Sequence, residues 1–79
     1  MHFLVTIVWS ITPRQSPNDL MGITVSEINI HIPASTGQNI SIMEGIQEGI
    51  RQQLEVYEDD PENKHKVHIP LSHSVIRLD

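Results

Sequence analysis

At 79 residues, with ten acidic residues against five Lys and Arg for a net charge of −5, the chain has room for one domain and one core, spanning residues 1–79. The charge argues against a phosphate backbone as direct ligand, and zero cysteine excludes disulfides and thiol chemistry and suits a reducing, cytoplasmic interior. A domain this small gains stability from a metal, a disulfide or a partner, so self-association or partner binding is expected.

The first element predicted is a strand over Met1 to Thr12, nearly continuously apolar, as a central strand covered on both faces would be. Its β-branched and Trp-containing stretch Phe3 to Ile11 lacks the basic flank and small-residue cleavage site of a signal peptide and is too short to span a bilayer. Trp9, the single tryptophan, is expected in the core. Pro13 ends the strand, and Pro13 to Gly22, with Ser16, Pro17, Asn18 and Asp19, reads as a loop.

A second strand is predicted over Ile23 to Ile32, where Ile28, Ile30 and Ile32 alternate with Glu27, Asn29 and His31. Ile23 and Val25 are out of phase with that set, so a bulge near Ser26 and Glu27 is expected to turn both apolar sets inward. Ser35 to Asn39 reads as a turn, and Ser41 with Glu44 has capping-box spacing, which starts a helix near Ile42. Ile42, Met43, Ile46, Ile50, Leu54 and Tyr57 form its apolar stripe. Gly45 and Gly49, inside that helix, each cost about 1 kcal/mol relative to alanine. Close approach of the helix to the sheet, or to a partner helix, would offset this.

Asp60-Pro61 marks a turn, and Val67, Ile69 and Leu71 alternate through a short strand that Pro70 confines to a sheet edge. Ser72 to Ser74 is expected to break it, leaving Val75 to Leu78 as a last strand or a tail. The fold class is therefore α+β: a mainly antiparallel sheet of three or four strands in ββαβ order, with one amphipathic helix packed on one face.

His65, His68 and His73 have H-x2-H-x4-H spacing, but on an extended segment the first two point to opposite faces and the third lies beyond a proline. They are read as solvated beside Lys64 and Lys66, with no metal site and no cofactor. No nucleophile–base spacing or phosphate-cradling glycine motif is present, so no catalytic residue is assigned and the chain is not read as an enzyme. Glu55, Glu58, Asp59, Asp60 and Glu62 collect negative charge at a helix C-terminus, where the dipole disfavours it. They are the candidate partner-binding residues, suited to a basic protein surface.

Gly22-Ile23-Thr24-Val25, Gly37-Gln38-Asn39, Glu44-Gly45-Ile46, Leu54-Glu55 and Ile69-Pro70 followed by Ser72 give the chain an order that resembles HicB-like antitoxin domains. That resemblance implies a sheet-plus-helix domain that binds and blocks a toxin acting on RNA, often within an oligomer. Ile32-Pro33-Ala34 departs from the family's Pro-Asp-Leu-Pro-Gly stretch, and no DNA-binding segment follows Asp79, which leaves operon autoregulation without support. The expected function is a small acidic inhibitor that occludes a nucleic-acid-processing partner, as antitoxin or as phage anti-defence (anti-CRISPR-type) protein. The alternative is a homo-oligomerisation module built on an exposed strand edge and the Gly45, Gly49 helix face.

Overall fold

A computed structural model describes residues 1–33 and 42–79. The elements are β1 (His2–Pro13), β2 (Gly22–His31), α1 (Ile42–Asp59), a 3-10 turn (Pro61–Asn63) and β3 (Lys66–Arg77). The sheet is antiparallel in the order β2-β1-β3, an α+β fold with β1 at the centre and β3 at an edge. The turn expected at Ser35 to Asn39, Ser41 of the capping box and the Gly37-Gln38-Asn39 segment lie outside the described residues.

β1 and β2 pair without interruption from His2 opposite His31 to Ile11 opposite Gly22, and Met1 and Ile32 exchange backbone hydrogen bonds of 2.8 Å beyond them. The link between the strands is made of short turns: Ser16 N donates to Pro13 O, Asp19 N to Ser16 O, and Met21 N returns to Ile11 O at 2.8 Å. No bulge interrupts Ser26 and Glu27, contrary to the sequence expectation. Because side chains alternate strictly along an unbroken ladder, Ile23 and Val25 fall on the face away from the helix and stay exposed. The irregularity lies instead between β1 and β3, at Val8/Trp9, where Leu71 is the extra residue between Pro70 and Ser72. That bulge lets β3 run on as one strand through Ser72 to Ser74, so the expected break there is absent.

The core is one-sided. Phe3, Val5, Ile7 and Trp9 of β1 face the helix with Ile32 and Ile46, and Ile28, Ile30, Ile50, Leu54 and Tyr57 pack around them. Val5, Ile7 and Trp9 are fully buried, each stabilising the fold by roughly 1.5–3 kcal/mol. β1 is thus covered on its second face only in part: of its alternate residues, Leu4, Thr6 and Val8 are half-buried, while Ser10 and Thr12 are buried. Ile42 and Met43 are exposed rather than part of the helix stripe, which begins its packing against the sheet at Gly45 and Ile46. The long strands draw the molecule out to 45 × 19 × 18 Å.

Gly45 and Gly49 explain how the helix lies so close. A Cβ on Gly45 would sit 2.7 Å from Ile32 Cδ1, and one on Gly49 would sit 2.5 Å from Ile30 Cδ1 and 3.1 Å from its Cγ1. Both glycines therefore face β2 within the chain, and the helix–helix contact considered for them is not available on that face.

This packing sets a measurable coupling. Gly49→Ala gains about 1 kcal/mol of helix propensity but overpacks Ile30, a cost of about 1–3 kcal/mol, so the variant is expected to be net destabilised. Ile30→Val removes the clashing Cδ1, and in the double variant most of the loss should be recovered. Urea unfolding of the four proteins checks this, and purely additive effects would refute the close-approach account.

Candidate functional site

The end of the helix is built by a chain of local caps. Asp60 adopts an extended backbone (φ −76°, ψ 121°) and its Oδ1 accepts from Glu62 N at 3.0 Å, with Pro61 opening the 3-10 turn. Tyr57 O, in the last turn of the helix, accepts from Asn63 Nδ2 at 3.0 Å and from Asp60 N at 3.3 Å. The Asp60-Pro61 turn read from sequence is thus a capped 3-10 turn leading directly into β3.

These caps sort the five candidate carboxylates. Glu55 is ion-paired with Arg51, one turn earlier, and Arg51 also holds Glu48 through Nε to Oε2 at 2.9 Å and Nη2 to Oε1 at 2.5 Å. Hydrogen bonding from Arg51, then from Gln52, brings the Glu48 carboxyl pKa down to about 2, and the Glu48 and Glu55 carboxylates in turn raise that of Arg51. Asp60 serves as a cap. Glu58, Asp59 and Glu62 are exposed and their carboxylates enter no ion pair among the described residues. The three sit within five residues at one end of the molecule.

Cations lie at that same end. Arg14 N donates to His65 O at 2.8 Å and its Nη2 to Lys66 O at 3.4 Å, placing Arg14 beside the start of β3 with Lys64 and Lys66 close in sequence. Sequence reading missed Arg14, because its neighbour in space is 52 residues away. The Asp60-to-Lys66 connection therefore passes from a negative to a positive surface.

The three spaced histidines do not converge. His65 and His73 are exposed, whereas His68 is buried, which corrects the expectation that all were solvated. The His68 ring stacks on Tyr57 at 4.3 Å and 10°, and meets Trp9 edge-on at 6.4 Å. Trp9 Nε1 donates to Ser26 Oγ at 3.1 Å, and Ser26 Oγ is also hydrogen bonded to Tyr57 OH. This buried serine, tyrosine and histidine cluster joins the helix to all three strands. The signal for it in the sequence was slight: Ser26 falls on the apolar face of β2, two residues before Ile28.

The sheet face opposite the helix is the other exposed feature. Val8 at its centre is flanked by Val25, directly opposite on β2, while Ser10 lies between Ile23 and Ile69 and Thr12 is opposite Val67. Ile23 is 59% exposed, Val25 57% and Ile69 43%. The other half of this face is mixed, carrying Thr6, Glu27, Asn29 and the stacked pair His2 and His31, whose rings lie 4.4 Å apart, together with Leu4 and the exposed Ile76 opposite it on β3.

Among the described residues no helix is long and apolar enough to cross a membrane. Compared with family models, curated proteins and solved structures, the chain matches none.

Two outcomes follow from the cluster. Ser26→Ala leaves Trp9 Nε1 and Tyr57 OH both without their acceptor or donor and should cost about 1–3 kcal/mol, more than Tyr57→Phe, which removes one partner of the pair. Burial, then the charge of Lys66, holds His68 below the ordinary value of 6.5. The unfolded chain therefore takes up a proton at a pH where the folded chain does not, so this contribution to stability is complete above about pH 6.5 and falls as pH drops through that value. The urea midpoint should drop between about pH 7.5 and about pH 5.5, and His68→Phe, which keeps the ring stack, should reduce that drop. An equal drop in the variant would rule His68 out as its source.

Proposed function

We propose that the chain is a small inhibitory protein that binds a basic, nucleic-acid-handling protein and occludes its working surface. The observation that carries this reading is the trio Glu58, Asp59 and Glu62. They are exposed and without ion pairs among the described residues; Glu58 and Asp59 close α1, where the macrodipole opposes them, and Glu62 follows in the 3-10 turn. Local stability gives no reason for Glu58 and Asp59 there, whereas attraction to a cationic partner does. Glu55 and Asp60 belong to the same acidic run but are engaged by Arg51 and by the 3-10 turn, so they contribute mainly field and shape.

The net charge of −5 fits this direction of action, since direct competition for a phosphate backbone would call for the opposite sign. A bound acidic domain blocks such a partner by covering the surface the nucleic acid uses. Antitoxin and anti-defence inhibitor share this device, and the HicB-like order of elements supports the first.

The test begins with a partner captured from the native host and its nucleic-acid-processing activity. The chain should suppress that activity at equimolar ratio. Reversing Glu58, Asp59 and Glu62 to Lys, with Asp60 kept to preserve the cap, should slow association by about tenfold or more and flatten its salt dependence. An unchanged on-rate and salt slope would remove the reading.

A further inference from the structure

The two edges of the sheet are unlike. β3 carries Pro70, which offers no N–H, and the bulge at Leu71, with Lys66 and Arg77 at its ends, all features that discourage a further strand. β2 runs from Gly22 to His31 with no proline, lysine or bulge. Its backbone groups follow from the ladder. Met1 and Ile32 exchange both hydrogen bonds, so by antiparallel alternation Ile30, Ile28, Ser26 and Thr24 bond to β1. Ile23, Val25, Glu27, Asn29 and His31 then turn their N–H and C=O groups outward. All of these residues are exposed, and among the described residues no hydrogen bond reaches their outward backbone groups.

We propose that this edge receives an extended segment of a partner protein as an added strand, with a Lys or Arg opposite Glu27. Glu27 decides the occupant. It is the middle one of the outward residues and the only Asp, Glu, Lys or Arg of β2, and it enters no ion pair among the described residues. A second copy pairing antiparallel with fullest overlap would set Glu27 against Glu27, which is destabilising. The two-fold axis of that pairing stands normal to the sheet, so both helices would lie on one face. Each helix carries Glu44, Glu48, Glu55, Glu58 and Asp59 against a single Arg51, which adds to the repulsion. A cation opposite Glu27 turns the same position from repulsion to attraction, and a chain of net charge −5 draws such a segment in. On the face away from the helix Glu27 is flanked by Val25 and Asn29, so the segment that fits places an apolar residue two positions from its cation. The sign of the partner rests on the inhibitory reading, whereas the open edge does not.

Amide hydrogen exchange followed by NMR reads this contact residue by residue. In the free chain Ile23, Val25, Glu27, Asn29 and His31 should exchange faster than Thr24, Ser26, Ile28 and Ile30. A short alternating valine–threonine peptide with a central lysine, at millimolar concentration, should slow Val25, Glu27 and Asn29 by about tenfold or more. Its glutamate analogue should bind about fivefold more weakly. Glu27→Lys should reverse the order of the two peptides, and if that variant unfolds, Glu27→Gln should erase the difference. Slow exchange at the outward amides of the free chain overturns the proposal, since the chain itself or a second copy would already cover the edge. So does a lysine peptide that protects none of them, equal protection by both peptides, or protection that survives N-methylation of the peptide's bonding amides. The probe contains no natural partner, so failure to inhibit with edge protection intact removes the inhibitory reading and leaves this one standing.

Discussion

The fold turns on the Trp9 indole. It rises from the central strand, donates to Ser26 of β2 at 3.1 Å, meets Tyr57 of the helix edge-on at 5.3 Å and His68 of β3 at 6.4 Å, so one side chain touches every long element. A sheet of three strands with one long helix has little other apolar volume to share, and among the described residues only Val5 and Ile7 are as fully buried. The polar groups brought in with Trp9 are not a luxury, since the indole N–H must find an acceptor once it leaves water. Ser26 supplies it, and the same oxygen meets the Tyr57 hydroxyl. The register of β2 and the rotation of α1 about its axis are thereby set together.

Helix position depends on the other end of the same strand. Gly45 and Gly49 let the α1 backbone settle on Ile32 and Ile30, which brings Ile46, Ile50 and Leu54 down onto β1. With side chains at those two positions the helix would ride higher over β2 and tilt, and Tyr57 would not reach Ser26. The two small residues at one end and the hydroxyl cluster at the other thus act on one lever.

Much of this was legible in the sequence. Alternation at Ile28, Ile30 and Ile32 gave the inner face of β2, the three- and four-residue steps gave the helix, and Pro70 gave an edge strand, because each signal depends on local periodicity. The failures share a cause. Ile23 and Val25 were turned inward by an imagined bulge because an apolar residue was assumed to have one core to enter. Both faces of the sheet carry apolar residues, and among the described residues the helix packs on one of them. The near-continuous apolar run of β1 carried the same message, since a central strand reads this way whenever both faces require apolar residues, whatever covers the second. The Leu71 bulge and the stack of His68 on Tyr57 were invisible for another reason: each is fixed by cross-strand register, which no local pattern encodes. At the candidate site the acidic run was legible as a run, but its division into paired, capping and unpaired carboxylates was not, since that depends on Arg51 geometry and the 3-10 turn.

Apolar surface discriminates poorly among partners but gains steadily with area. A cluster of unpaired carboxylates gains little energy per pair in water, yet it accelerates encounter and selects sign, which suits a contact that must be found. Placing Glu58 and Asp59 in the last turn of α1 costs helix stability, and the fold answers by fastening that end otherwise: Asn63 on the Tyr57 carbonyl, Asp60 on Glu62 N, and Tyr57 on Ser26. The helix end is therefore held by hydrogen bonds that do not use the side chains of Glu58, Asp59 or Glu62, and these three carboxylates enter no ion pair among the described residues.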